Sequence, residues 1–207
     1  MKLLVKPSRI SGTFAVPGSK SHTIRGTVDG LLANGVTVLR YALISADTLS
    51  TLAAAEALGA QVEQRPYEWR IAGTAGKLRD PGKTIDMGNS GTGLRLLAAA
   101  ACIANFPVSF DGDASLRTRV MKPLLESLEE LGASTDSSRG RCPLTVCGPL
   151  KGGHTTIEAV TSQFLSALLF VTPYAAGDTE ITVPLLNEKP YIGITLEIGR
   201  ASCRERV

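Results

Sequence analysis

Gly88 Asn89 Ser90 Gly91 Thr92 Gly93 Leu94 Arg95 is the stretch from which the fold is read. Residues 84–87 before it alternate in polarity like a half-buried strand, and residues 96–103 after it are apolar on every side, which suits a buried helix. A strand therefore ends in a small, polar, glycine-dotted turn that opens a helix. Such a turn presents unpaired backbone N–H groups at the positive end of a helix dipole, where a phosphate or carboxylate is welcome. Arg95 adds a fixed positive charge within the first helical turns.

Working outward, the same order recurs on both sides. Towards the N-terminus, residues 12–16 alternate as a strand and run into Pro17 Gly18 Ser19 Lys20 Ser21, with Arg25 some turns into the next helix. Residues 36–39 read as a strand, and Asp47 reads as the N-cap of a helix carrying Leu49, Leu52 and Leu58, stopped by Gly59. Val62 and the segment around Trp69 suggest a closing hairpin. In the middle of the chain, residues 83–87 are the strand, 108–110 the next strand, and Met121, Leu124, Leu125 and Leu128 line one face of a second helix. Pro123 stands in that helix's first turn and Gly132 at its end, and residues 144–146 close the unit. A third copy starts with a strand at 155–160, turns at Thr161 Ser162 Gln163, and continues as a helix (164–171), a strand (180–183) and a helix opened by Pro190 Tyr191.

The offsets agree on one period: Arg25 to Arg95 is 70 residues, Gly59 to Gly132 is 73 and Phe110 to Ile181 is 71. Solenoid repeats typically run about 20–50 residues, so a period this long is a βαβαββ supersecondary unit. The expected fold is α/β, with units at about 18–80, 81–150 and 151–197, the third incomplete. Grouped about an axis, three such units bring three helix N-termini towards one side.

Composition narrows the function. A 207-residue chain with 43% apolar and 20% charged residues builds an ordinary globular core. A net charge of +3, aromatics at 5% and the lack of a Lys/Arg-rich run give no footing for nucleic acid. No apolar run reaches membrane-span length, and strand-like sequence from the start shows no targeting peptide. Cys142 and Cys147 have four residues between them, but no second pair stands at zinc-ligand spacing. With Cys102 and Cys203 they read as reduced thiols of a cytoplasmic protein, and no zinc site is expected.

The chemistry is carried by cations beside the polar turns. An ammonium at Lys20, next to helix N-terminal amides, holds a phosphate or stabilises developing negative charge. Arg25, five residues on, reaches a second anionic group. Arg117 and Arg119 precede the second helix of the middle unit, and arginine grips carboxylates and phosphates with paired hydrogen bonds. Of the two, Arg119 is the one expected to face a ligand. Thr161, Ser162 and Gln163 supply two hydroxyls and an amide at the third turn.

Four separated motifs resemble the N-terminal half of the EPSP synthase family: Pro17 Gly18 Ser19 Lys20 Ser21 with Arg25; Gly88 Asn89 Ser90 Gly91 Thr92 with Arg95; Gly112 Asp113 through Arg119; and Ser162 Gln163 Phe164 Leu165 with Lys189 Pro190 Tyr191. The resemblance covers about residues 2–197. It implies transfer of an enolpyruvyl group from phosphoenolpyruvate to the 5-hydroxyl of shikimate 3-phosphate, through a tetrahedral intermediate and without metal or organic cofactor. Lys20, Ser21, Arg25, Thr161, Ser162, Gln163 and Tyr191 match positions that hold shikimate 3-phosphate. Lys20, Gly91, Arg119 and Gln163 match positions around phosphoenolpyruvate, with Lys20 also catalytic. Gly91 leaves space for the phosphonate of the inhibitor glyphosate.

The resemblance further implies an inside-out α/β barrel of two similar domains in a protein monomeric at full length. Residues 1–17 would then contribute a strand to the other domain, 18–197 would be one domain, and this chain would form one wall of an active site. The sister enzyme acting on UDP-N-acetylglucosamine carries Lys-Asn where this chain has Lys20 Ser21. A non-catalytic module binding anions or phosphosugars is the other alternative. Departures from the family pattern are Thr161 for serine, Val120 for proline after Arg119, Glu188 for a substrate-binding serine, and a first helix made polar by Thr27, Asp29 and Gly30. Residues 198–207 resemble translated sequencing-adapter read-through and are expected to be a non-native tail.

Overall fold

Helix α3 (Gly91–Ala101) lies at the centre of the molecule because almost nothing on it is polar. Leu94 and every residue from Leu96 to Ala101 are buried, and the four alanines in succession allow other helices to approach closely. In this computed structural model, which describes residues 2–204 and the side chains of 2–199, α3 packs on α1 (Lys20–Leu32), α2 (Ala46–Ala57) and α5 (Ser162–Val171). The helix begins five residues before the apolar run expected to form it, because Gly91–Arg95 already belong to its first turns.

Around these helices lie three small sheets. β1 (Val36–Arg40), β2 (Gln61–Arg65) and β3 (Glu68–Ala72) pair antiparallel in the order β1-β3-β2. β4 (Ile85–Asp86), β5 (Val108–Asp111), β6 (Ser134–Ser137) and β7 (Leu144–Cys147) form the order β4-β5-β7-β6, with β4 and β5 parallel. β8 (Gly153–Thr156) and β9 (Thr179–Thr182) pair in parallel. The second sheet is the first with one parallel edge strand added, and the third repeats that parallel pair. The remaining α-helices among the described residues are α4 (Lys122–Glu130) and α6 (Lys189–Arg204).

Helix ends mark the repeat more sharply than the arginines do. The N-caps Ser19, Ser90 and Thr161 are all hydroxyl residues spaced by 71 in both intervals. Gly59 and Gly132 follow the second helices of the first two units with φ of +114° and +102°, a left-handed conformation that side chains with a Cβ adopt at a cost. Arg25 and Arg95, 70 apart, are therefore one residue out of register. One residue turns a helix by about 100°, so the two guanidiniums point towards different neighbours.

Several local expectations need correction. Residues 12–16 form no strand: 2–18 carry no regular element, and Leu3, Leu4, Val5, Ile10, Phe14 and Val16 are exposed. Alternation says which face of a strand would be covered, but no described element covers it. The N-cap of α2 is Ser45 rather than Asp47. Ser45 and Thr48 form a reciprocal capping box, and Asp47 lies in the first turn. Leu49 on that helix is partly exposed, whereas Leu52 and Leu58 are buried. The third unit's first strand stops at Thr156, and Ala159 makes only an isolated bridge to Leu186. Of the expected tail, 198–204 continue α6 as helix, while residues 205–207 and the side chain of Cys203 lie outside the described residues.

Candidate anion-binding site

The polar turns that open α1, α3 and α5 are tied together by side chains. At the centre is Arg95, only 8% exposed. Its Nη1 donates to the carbonyl of Gly91 (3.2 Å) and to Oε1 of Gln163 (2.8 Å), and its Nη2 donates to the carbonyl of Val120 (3.2 Å). The guanidinium also lies over the Phe164 ring, 5.2 Å from its centroid. One side chain thus joins the turn of the second unit, the turn of the third and the strap carrying Arg119.

Every acceptor on Arg95 is neutral, and its buried Nε has no hydrogen-bond partner. Burial first, and the nearby Arg119 charge second, push its pKa down to about 10. Arg119 is half-buried and donates to Oδ1 of Asn89 (2.5 Å). It lies so close over Gly91 that a Cβ there would collide with its Nη1. Two guanidiniums over one glycine, without a carboxylate between them, make a place where an anion is stabilised.

Arg117 is engaged elsewhere. It forms a two-bond fork with Asp111 (2.9 and 2.6 Å), and those hydrogen bonds hold the Asp111 carboxyl below its usual range. Lys20 pairs with Asp47 (2.8 Å) at the start of α2. Thr51, one turn further along α2, donates to the Asp47 carbonyl (2.7 Å) and shares a hydrogen bond with Ser90 (3.2 Å). Lys20 is thereby linked to the turn that carries Gly91.

Arg25 is almost fully buried at 1% exposure. Nε donates to Thr195 Oγ1 (2.8 Å), Nη2 to Ser166 Oγ (3.1 Å) and Nη1 to the Ser21 carbonyl (3.3 Å). The Tyr191 ring faces the guanidinium at 5.9 Å. Burial lowers the Arg25 pKa, and Tyr191 and Glu188 oppose that shift. Arg25 therefore ties α1 to α5 and α6. Ser162 and Thr161, at the head of α5, are both engaged by Glu188.

Sequence reasoning missed the residues that hold the cations: Asn89, Asp47 as the partner of Lys20, and Ser166 and Thr195 around Arg25. A single hydroxyl in the apolar stretch Phe164 Leu165 Ser166 Ala167 Leu168 was the available sign for Ser166.

Comparison with known proteins shows the family. The family model described as EPSP synthase (3-phosphoshikimate 1-carboxyvinyltransferase) matches residues 4–200. A 3-phosphoshikimate 1-carboxyvinyltransferase from Acetivibrio thermocellus is 42% identical over 198 residues, covering 95% of this chain and 47% of the relative. One from Methanocorpusculum labreanum is 45% identical over 202 residues, with the same two shares. The chain spans about half the length of the curated relatives it matches. A solved EPSP synthase from Acinetobacter baumannii superposes with a TM-score of 0.78 at 32% identity, over 86% of this chain and 41% of that one. A shared mixed α/β fold and a match along almost the whole sequence place the chain in the EPSP synthase (3-phosphoshikimate 1-carboxyvinyltransferase) family.

Proposed function

We propose that this chain is one wall of an enolpyruvyl transferase active site, taking phosphoenolpyruvate and shikimate 3-phosphate. The observation that carries the proposal is Arg95 bridging Gly91 and Gln163 while Arg119 lies over the same glycine. Lys20, Ser21, Arg25, Thr161, Ser162, Gln163 and Tyr191 are assigned to shikimate 3-phosphate. Lys20, Gly91, Arg119 and Gln163 are assigned to phosphoenolpyruvate. In the reaction the 5-hydroxyl adds to C2 of the enol and gives up its proton, while C3 gains one. Loss of the C3 proton then expels phosphate. Cations fixed around both substrates stabilise the phosphate as it leaves and cost no reorganisation at that moment.

The exposed apolar residues of segment 2–16 support assigning residues 1–17 to a second domain, so that 18–197 form one domain of an inside-out α/β barrel. Residues 198–207 are assigned to a non-native tail, and resequencing the genomic locus checks this. Groups for proton transfer are assigned to the other domain, so the chain alone is expected to bind shikimate 3-phosphate without turnover. Titration calorimetry should show saturable binding that is lost in Lys20→Ala; absence of binding to the unaltered chain overturns the site. Phosphate release from both substrates by the chain alone overturns its assignment as half a site. A second reading is a non-catalytic module that binds an anion where Arg95 and Arg119 meet over Gly91. Adding the complementary half of a relative separates the two: restored phosphate release supports the enzyme, and binding without it supports the module.

A further inference from the structure

Glu188 is exposed, yet its carboxylate is turned back onto the protein. Oε2 accepts hydrogen bonds from the Ser162 N–H (3.1 Å), the Ser162 hydroxyl (2.9 Å) and the Thr161 hydroxyl (3.5 Å). These are the leading donors of α5. The backbone at Glu188 is held at φ +56°, a region a non-glycine residue enters at a cost. Its carbonyl accepts from Tyr191 N–H (3.0 Å), so the same turn positions the ring that faces Arg25. An anion therefore already sits on the donors of the third turn, and it belongs to the chain itself.

We infer that Glu188 is a built-in competitor: its carboxylate occupies the anion donors at the head of α5, and a phosphorylated ligand engages them only by displacing it. The assignment to a substrate phosphate rests on the function proposed above; the competition for these donors does not. Two anions cannot share one N–H and two hydroxyls without strong repulsion. Tethering gives the carboxylate a high effective concentration, while its exposure keeps it displaceable. Residue 188 thereby sets how tightly this turn holds a phosphate.

The test follows the Ser162 and Gln163 amides by 1H–15N NMR in the whole chain as inorganic phosphate is added, in the unaltered protein, Glu188→Gln and Glu188→Ser. The Trp69 indole signal reports that each variant is folded. The half-saturating phosphate concentration should fall on the order of tenfold in Glu188→Ser, with Glu188→Gln between. Equal midpoints in all three proteins, or Ser162 amides that do not respond in either folded variant, overturn the inference. A parallel titration with shikimate 3-phosphate separates the two claims. Phosphate competition without binding of that ligand would sink the substrate assignment alone. Equal affinity for it in all three forms would sink the role of Glu188 alone.

Discussion

Arg95 carries a charge that its surroundings do not neutralise. Its three hydrogen bonds go to neutral oxygens, and Arg119 repels it. Its folded pKa of about 10 lies well below the ordinary guanidinium value, so the unfolded chain holds the proton more firmly. The group thus works against folding below about pH 10, and that penalty is relieved as pH rises above 10 towards the ordinary guanidinium value. Replacing a buried charge by an apolar residue of similar length is often neutral or stabilising. Arg95→Met should therefore match or exceed the unaltered protein in urea unfolding by about 1 kcal/mol; sulfate should raise the melting temperature of the unaltered chain and not that of the variant. A variant less stable by about 3 kcal/mol would show the guanidinium to be a net stabiliser. Gly91→Ala acts on the same pair by forcing Arg119 aside. In an enzyme completed with its other half, the KM for phosphoenolpyruvate should rise on the order of tenfold, as for a lost charge-assisted hydrogen bond, and glyphosate inhibition should weaken. Equal inhibition of both forms contradicts this.

At the scale of elements, α2 shows where sequence reading stops. Asp47 is a good capping residue in isolation, but Ser45 takes the role because Thr48, three residues on, completes a box with it. A threonine in place of the usual Glu or Gln hides that pattern. The displaced Asp47 became the partner of Lys20, which no local rule predicts. Ser45→Ala should cost about 1 kcal/mol, measured by urea unfolding followed through the fluorescence of Trp69, the only tryptophan; an unchanged midpoint would show the cap to be idle. The strand–turn–helix order was legible because its polarity changes are local. The Arg25–Ser166 and Arg95–Gln163 contacts were not, since they span 141 and 68 residues. The end of α3 supplies a further check. Burial pushes the Cys102 thiol up to about 12, whereas Cys147 is half-buried. Iodoacetamide at pH 8 should label Cys147 well before Cys102, as judged by peptide mass spectrometry; native labelling of Cys102 at the same rate contradicts that burial. Because the folded thiol titrates above the unfolded one, its stabilising contribution is whole below the ordinary value of 9 and is lost as pH rises to 12.

For the whole molecule, the repeat was legible from polar turns and glycine stops, and the N-caps at a constant spacing of 71 show why. The strand expected at residues 12–16 of the first unit was misread. Residues 12–16 have the alternation of a strand, but a strand also needs a neighbouring backbone to pair with. Removing residues 2–16 should accordingly leave the unfolding free energy within about 0.5 kcal/mol, since these side chains are exposed; a larger loss would reveal packing by this segment. The central claim is that three polar turns from three units serve one anionic ligand. A crystal structure of this chain with shikimate 3-phosphate tests it most directly. The ligand should contact Lys20 or Ser21 from the first turn and Ser162 or Gln163 from the third, with Arg119 and Gly91 beside it. A ligand bound to one turn alone, or on a face remote from Arg95, would contradict the account.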